Sequence, residues 1–257
     1  MKKIKNELSN ASGILYKLQK HSKNPKFKNL SLNELKRAKL FKQEAKNTKY
    51  RKYKRGSIVL VDFGLNHGSE FSFPHFAIVL DKKDNPSSQK LTVVPLTSKK
   101  GKDNINLEKE IYNRIFYYIE RLANDYREIH DIIQNLFNFS ETIPSNDTII
   151  RTDNPKYLSF VKRHDTEDVP TLLTLKDLIF WQSEDAVKIG ELKKHYEKYK
   201  KNSYAKVDNI TTVSKLKICL PINDFDPISN AVVSDNALLE IERAFAKRYL
   251  SNNIHID

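Results

Sequence analysis

Side chains that can bind a phosphate group or exchange protons with a substrate accumulate in one short part of the chain: His67, His75, Thr97, Ser98, Lys99 and Lys100. A hydroxyl donates a hydrogen bond to a phosphate oxygen, a lysine neutralises its charge, and an imidazole exchanges a proton near neutral pH. The same residue types have structural uses, because Thr-Ser at a strand end is typical of a turn. Residue types alone therefore leave open both a phosphate site and a plain surface.

Three short strands are predicted to position these residues. Residues 58–61, 76–80 and 92–96 are runs of β-branched, aliphatic and aromatic residues, bounded by Gly, Pro, Asn and Ser. A polar loop that contains Gly68-Ser69-Glu70 connects the first two runs. Because the three strands follow one another in under fifty residues, they predict a small curled barrel.

The order of these motifs resembles the MazF/PemK family of toxin endoribonucleases. The matching residues are Arg55, Gly56, Val61, Asp62, Gly68, Ser69, Glu70, Pro95, Leu96, Thr97 and Ser98. A weaker similarity follows in a predicted strand at residues 207–216 and a closing helix at residues 234–250. Two positions depart from the family pattern, since Ser57 replaces an Asp and His75-Phe76 stands where the family has Arg-Pro.

The resemblance implies an α+β fold with an SH3-like β-barrel. It also implies metal-independent cleavage of single-stranded RNA, in which the ribose 2′-OH attacks the adjacent phosphate. By alignment, His75 and Thr97 take the catalytic positions. The candidate substrate-binding residues are Ser98, Ser69, Glu70, His67, Arg55, Lys99 and Lys100.

His75 is the position at which the function is most open. An arginine clamp is permanently charged, whereas an imidazole titrates near neutrality. Either His75 serves as a general acid or base, or the site has lost its cation and is inactive. Arg55, Lys99 or Lys100 could restore the missing positive charge.

The resemblance further implies no cofactor, an antitoxin protein as partner, and a homodimer formed through the barrel unless an insertion blocks that surface. Seven scattered histidines and the single Cys219 lack the spacing of metal ligands. No glycine-rich phosphate loop occurs among the six glycines, which excludes an ATPase or a dinucleotide enzyme. One cysteine, no apolar run of about 20 residues and no signal core indicate a cytoplasmic protein without a membrane partner.

Positive charge is concentrated at the N-terminus. Residues 1–55 hold 18 Lys/Arg against three acids, whereas the rest of the chain holds 27 bases and 29 acids. Such a segment would attract a phosphate backbone, although a solvated basic helix is equally consistent with the composition. Tyr50 and Tyr53, inside a basic run, could stack on bases or dock on the barrel. The alternative function is a non-catalytic nucleic-acid-binding or regulatory protein.

The sequence motifs and the predicted helices and strands divide the chain into four segments. We expect a basic helical extension at residues 1–54, the first half of the barrel at 55–100, a mainly helical insertion at 101–202, and the last barrel strand with a C-terminal helix at 203–257. Within them, a capping box at Ser31-Leu32-Asn33-Glu34 and apolar residues at helical spacing predict helices that begin near 31, 107, 184 and 234.

Overall fold

A computed structural model describes residues 2–68, 70–138, 149–150, 155–164 and 173–250. The chain divides into two compact units. The first, which we call the sheet unit, comprises Met1–Ile111, Asn202–Leu220 and Ile228–Asp257. The second, which we call the helical unit, comprises Tyr112–Lys201 and Pro221–Pro227. The division into four segments stays a prediction.

The described residues include six α-helices and eight strands. The helices are α1 (Lys2–His21), α2 (Leu30–Glu44), α3 (Glu110–Asn138), α4 (Pro155–His164), α5 (Leu175–Glu197) and α6 (Asp235–Tyr249). The strands are β1 (Ile58–Asp62), β2 (Pro74–Val79), β3 (Lys90–Thr97), β4 (Ile105–Asn106), β5 (Ile149–Ile150), β6 (Leu173–Thr174), β7 (Tyr204–Ala205) and β8 (Thr211–Ser214). Short 3-10 turns lie at Pro25–Phe27, Val207–Asn209 and Lys215–Lys217.

The N-terminal helices and the helical insertion are confirmed, but two helix starts differ from the prediction. α2 is capped at Asn29 and begins with the buried Leu30, so the predicted capping box at Ser31 is wrong. α5 begins at Leu175, nine residues earlier than predicted. A capping box between Thr174 and Asp177 fixes that start, because each side chain satisfies a backbone N–H of the other residue.

The strands of the sheet unit pair antiparallel in the order β1-β2-β3-β7-β4, and β8 pairs with the first half of β3. The mixture of helices and antiparallel sheet confirms the α+β class. The closed SH3-like barrel is not confirmed, because the sheet formed by the described residues stays open. Only isolated bridges, Val61 to Ile218 and Ser57 to Val232, bring later residues back to β1 or its start.

One face of this sheet carries the hydrophobic core. Successive side chains of a strand point to opposite faces, so every second residue of β1, β2 and β3 reaches the same cluster. Its members are Tyr53, Val59, Val61, Phe63, Ala77, Val79, Leu91, Val93, Val213 and Ile218. Burying each of the larger aliphatic side chains stabilises the fold by roughly 1.5 to 3 kcal/mol.

The segment before β1 is docked on the sheet unit. Tyr50 and Tyr53 are both buried, and the backbone N–H of Tyr50 donates to the carbonyl of Pro86 over 2.8 Å. Asp84 accepts a hydrogen bond from the Tyr53 N–H and forms a buried ion pair with Lys215 over 2.7 Å. Of the two interpretations of these tyrosines, the structure therefore shows docking.

The helical unit has its own core, in which aromatic rings of α3 and α4 meet edge to face. Tyr126 and Phe160 lie 5.7 Å apart between ring centroids. Beside them the carboxylate of Asp185 is completely buried, and its Oδ2 lies 2.7 Å from Nε2 of His164. Burial raises the pKa of Asp185 to about 6, although Lys188 opposes the shift.

Replacing Asp185 by asparagine should change stability in a pH-dependent way. An acid whose pKa is raised by folding stabilises the protein only below its unfolded pKa, and the contribution disappears as pH rises through the folded pKa. The wild type should therefore lose about 2 kcal/mol relative to Asp185→Asn between pH 4.5 and 7.5. Urea unfolding of both proteins at the two pH values measures this difference. Asp131→Asn, an exposed position of α3, is the control, and a difference independent of pH would contradict the prediction.

Candidate active site

β2 and β3 place His75 and Thr97 at the same end of the sheet. The pairing of the two strands ends at Ala77 and Pro95, and His75 and Thr97 each lie two residues beyond that last pair. Both residues follow the alternation of Ala77, Val79 and Val93, and therefore belong to the face that carries the hydrophobic core. A hydrogen bond joins His75 to the backbone of Leu96, the residue before Thr97, so the two candidate residues lie near each other.

His75 is half-buried and held against an aromatic ring. The ring of Phe71 lies 4.4 Å from its imidazole, edge to face. Burial lowers the pKa of His75 below its ordinary value of 6.5, while hydrogen bonds to the backbone of Leu96 and Ser72 act in the opposite direction. The imidazole is therefore neutral at pH 7, so it can accept a proton but does not supply a permanent positive charge.

Asn66 holds Phe71 in place. Its Nδ2 donates to the carbonyl oxygen of Phe71 over 2.7 Å and to that of Phe63 over 3.2 Å. Its backbone N–H also donates to the Ser72 hydroxyl over 3.1 Å. These bonds close the loop between β1 and β2, so the rings of Phe63 and Phe71 meet with centroids 5.3 Å apart. The loop thereby fixes the wall against which His75 packs.

Thr97 is oriented at the end of β3. Its Oγ1 accepts a hydrogen bond from the backbone N–H of Lys99 over 3.2 Å, which leaves the hydroxyl proton to be donated elsewhere. β7 pairs Thr97 with Tyr204 on the side away from β2. Thr97 and Tyr204 consequently form a pair next to the end of β2 that carries His75.

The remaining candidate residues are placed differently. Ser98, Lys99 and Lys100 are exposed immediately after β3, and Glu70 and His67 are exposed on the loop between β1 and β2. Arg55 precedes β1, at the opposite end of that strand from His75, and its guanidinium bonds the carbonyl of Leu80 and the carboxylate of Glu242. Ser69 lies outside the described residues. The structure thus brings His75 and Thr97 together and does not bring Arg55 to them.

Two residues that sequence reasoning did not single out complete this surface. Tyr204 lies in β7, and Lys206 follows directly after that strand. The backbone N–H of Lys206 donates to the carbonyl of Pro95 over 2.9 Å. The ammonium group of Lys206 lies 6.0 Å from the ring centroid of Phe71. The polar and apolar alternation of residues 204–207 could have indicated this strand, but the predicted strand was placed at 207–216.

Removing the Asn66 side chain should loosen the site without unfolding the protein. We expect Asn66→Ala to lower kcat/KM about tenfold for the RNA cleavage that the toxin resemblance implies, because a small displacement of positioning groups carries a large kinetic cost. Steady-state kinetics measure the effect. Asn223→Ala is the control, since that side chain bonds the backbone of Lys188 and Phe225 in the helical unit, and equal kinetics for the two variants would contradict the role given to Asn66.

Across the described part of the chain, no three His, Cys, Asp or Glu side chains are grouped so that they could hold a metal ion. No described helix has both the length and the apolar character needed to cross a membrane.

Residues 54–116 match the family described as PemK-like, MazF-like toxins of type II toxin-antitoxin systems. No curated protein matches the chain. The matched residues span β1 to β4 and the first turns of α3, so they contain His75 and Thr97 and exclude Lys206. The resemblance to the MazF/PemK toxins is thereby confirmed over residues 54–116, which match the family of PemK-like, MazF-like toxins.

Proposed function

We propose that this protein is an endoribonuclease that cleaves single-stranded RNA without a metal ion, as the toxin of a toxin-antitoxin or phage-defence system. One observation carries the proposal: His75 and Thr97 lie at the same end of the adjacent strands β2 and β3, with His75 hydrogen-bonded to the backbone of Leu96, within the segment that matches the toxin family. Family members are generally endoribonucleases, and both catalytic positions implied by that resemblance are occupied by side chains able to do the chemistry.

His75 is the general base of the proposed reaction. In its neutral form it takes the proton of a ribose 2′-OH, and the 2′-oxygen attacks the adjacent phosphorus. The bond between phosphorus and the 5′-oxygen breaks, and that oxygen takes a proton from water. The products are a 2′,3′-cyclic phosphate and a 5′-hydroxyl, and His75 returns its proton to solvent. DNA is not cleaved, because it lacks the attacking hydroxyl.

Thr97 binds the phosphate while this happens. Its hydroxyl proton is directed to a nonbridging oxygen, where charge develops as the phosphorus gains a fifth bond. Ser98, Lys99 and Lys100 follow it on the exposed turn and contact neighbouring phosphates. Ser69, Glu70 and His67 contact the RNA from the loop between β1 and β2.

The N-terminal extension holds the RNA backbone next to this site. Lys26 of the 3-10 turn donates from its Nζ to the carbonyl of Gly68 over 3.1 Å, and Lys36 of α2 lies 3.3 Å from Asp62 at the end of β1. α2 and the turn before it are therefore in contact with the end of the sheet that carries His75, and α1 contacts α2. Their mostly exposed bases attract phosphates by long-range field and by counterion release.

We infer the partners and location from the family resemblance. An antitoxin protein binds the toxin and restrains it, the toxin forms a homodimer unless the insertion blocks the barrel surface, and both act in the cytoplasm.

Cleavage of a long RNA of mixed sequence in the presence of EDTA tests the proposal. We expect fragments with 5′-hydroxyl ends, which polynucleotide kinase labels without prior phosphatase treatment, and 3′-terminal cyclic phosphates. A DNA of the same sequence should stay intact. Cleavage that appears only with a divalent cation, or no cleavage of any RNA by the purified chain, would refute it.

The non-catalytic alternative is favoured by one observation, the excess of exposed bases in residues 1–55. On this view the chain binds RNA and leaves it intact. Tight, salt-sensitive binding with no product after prolonged incubation, unchanged by His75→Ala, would support the alternative.

A further inference from the structure

We propose that Lys206 is the cation that binds the nonbridging oxygens of the scissile phosphate. The inference rests on the proposed function and adds to it a phosphate-binding residue from outside the matched segment. It answers the question raised by His75, which stands where related toxins carry a permanently charged arginine.

The site needs a cation because neither of the two catalytic candidates, His75 and Thr97, supplies a positive charge. Burial keeps the imidazole of His75 neutral at pH 7, and Thr97 contributes only a hydroxyl. Transfer at phosphorus spreads negative charge over the nonbridging oxygens, and a nearby ammonium or guanidinium group stabilises it. A neutral base and a hydroxyl leave that charge without a counterion.

Strand register brings Lys206 to this place. Pro95 lies opposite Ala77 on β2, and its carbonyl accepts from the backbone N–H of Lys206 on the other side. Lys206 and Pro95 thus form a pair next to that of Tyr204 and Thr97, on the same face, and Ala77 lies beyond Pro95 on β2. Diagonal neighbours of this kind lie about 7 to 8 Å apart, within reach of a lysine side chain.

The side chain of Lys206 is directed toward the site. Its ammonium group lies 6.0 Å from the centroid of the Phe71 ring, and that ring lies 4.4 Å from the His75 imidazole. Pro95 and Ala77 are short, so the lysine can extend across them. The side chain is only 27% exposed and thus has fewer orientations to lose on binding than a free surface lysine.

Lys206 has one acidic neighbour, Asp208, with the Nζ and Oδ2 atoms 3.8 Å apart. This distance is long for a hydrogen bond, and the carboxylate is itself partly exposed. Asp208 therefore weakens the attraction of Lys206 for phosphate without occupying its donors fully. A phosphate oxygen next to the Thr97 hydroxyl can accept a hydrogen bond from the ammonium group of Lys206 while Asp208 stays nearby.

The other candidate cations fit the role less well. Arg55 is bonded to Glu242 at the far end of β1. Lys99 and Lys100 are exposed on the turn beyond β3, where they can contact a neighbouring phosphate but are not held against the His75 and Phe71 rings. Among the described residues near His75, Lys206 combines partial burial with contact to the aromatic wall.

Two measurements on the full chain test the proposal. The first is kcat/KM for RNA cleavage, which should fall about 100-fold in Lys206→Ala and recover to within about tenfold in Lys206→Arg. The second is binding of an oligonucleotide with a 2′-deoxy sugar at the scissile position, which cannot be cut. The slope of log K against log salt should decrease by about 0.7 in Lys206→Ala, as expected for one lost phosphate contact on single strands.

Matched variants distinguish a local role from a general loss of charge. Lys83→Ala removes one exposed lysine at the other end of the sheet and should change neither measurement. Asp208→Asn should strengthen binding of the uncut oligonucleotide, because it removes the competing carboxylate. Equal kinetics and salt slopes for Lys206→Ala and Lys83→Ala would overturn the proposal, with thermal unfolding used to show that both are folded.

Failure of the proposed function gives a different result. If the wild type cleaves no RNA, the endoribonuclease proposal fails, while the salt slope still reports whether Lys206 contacts a phosphate. If the wild type cleaves RNA and Lys206→Ala cleaves it equally well, the reaction stands and the assignment of Lys206 is wrong. Should Lys206→Ala unfold, Lys206→Met retains the aliphatic stem and replaces it in both measurements.

Discussion

His75→Ala should lower the rate constant for RNA cleavage about 1000-fold while RNA affinity stays nearly unchanged, as expected for the loss of a general base. The reason is local: the imidazole is hydrogen-bonded to the backbone of Leu96 next to Thr97, and the part of the chain that matches the toxin family presents no other half-buried imidazole there. Single-turnover kinetics and binding to the uncut deoxy analogue separate the two quantities. His130→Ala, an exposed histidine of α3, is the control.

The pH dependence of the same reaction gives an independent measurement. Burial lowers the pKa of His75, and only its neutral form accepts a proton. The rate should therefore rise with pH and reach its plateau with a midpoint below 6.5, the ordinary value for histidine. A midpoint above 7, or activity confined to the acidic side, would show that the charged form is the active one and would contradict the assignment as base.

Thr97→Val preserves the shape of the side chain and removes its hydroxyl. We expect a loss of about 10- to 100-fold in kcat, somewhat less than that from a donor in a fully enclosed site. The combination with His75→Ala should show less than additive losses if both act on one phosphate. Additive losses would place the two side chains at separate sites.

Neutralising the lysines of α1 should have the second large effect, on RNA binding rather than on the reaction. The variant carries glutamine at Lys3, Lys5, Lys17 and Lys20. Each lost phosphate contact lowers the salt slope by about 0.7 on single strands, so four contacts account for a decrease of up to about 3 and an affinity loss of about 100-fold at low salt. Filter binding of the uncut oligonucleotide between 50 and about 200 mM salt measures both.

The matched control carries the same four changes in the helical unit, at Lys193, Lys194, Lys200 and Lys201. It removes equal charge from the whole molecule, so a general change of net charge would affect both variants alike. Equal salt slopes for the two variants would contradict the role given to α1. The rate constant at saturating RNA should be unchanged in both, because neither set of lysines belongs to β2, β3 or the segment that contains Lys206.

The sequence by itself determined the local elements and the charge distribution. β-branched runs bounded by turn residues located β1, β2 and β3, and apolar residues at helical spacing located α3 and α6, because these periods depend only on which face of an element is buried. The order of the motifs indicated the segment that matches the toxin family, and the antiparallel order of β2 and β3 brought His75 and Thr97 to the same end of the sheet. The positive charge of the N-terminal extension is determined by its composition alone.

Only the tertiary structure decided what lies beside these residues. β7 has two residues, too few for a periodic signal, yet its pairing with β3 places Tyr204 and Lys206 next to Thr97 across more than a hundred residues of chain. The bond of Arg55 to Glu242, the open sheet and the lowered pKa of His75 depend likewise on long-range contacts. Local periodicity fixes which face of a strand is buried. Which segment pairs with the edge strand of a sheet depends instead on the packing of the whole unit.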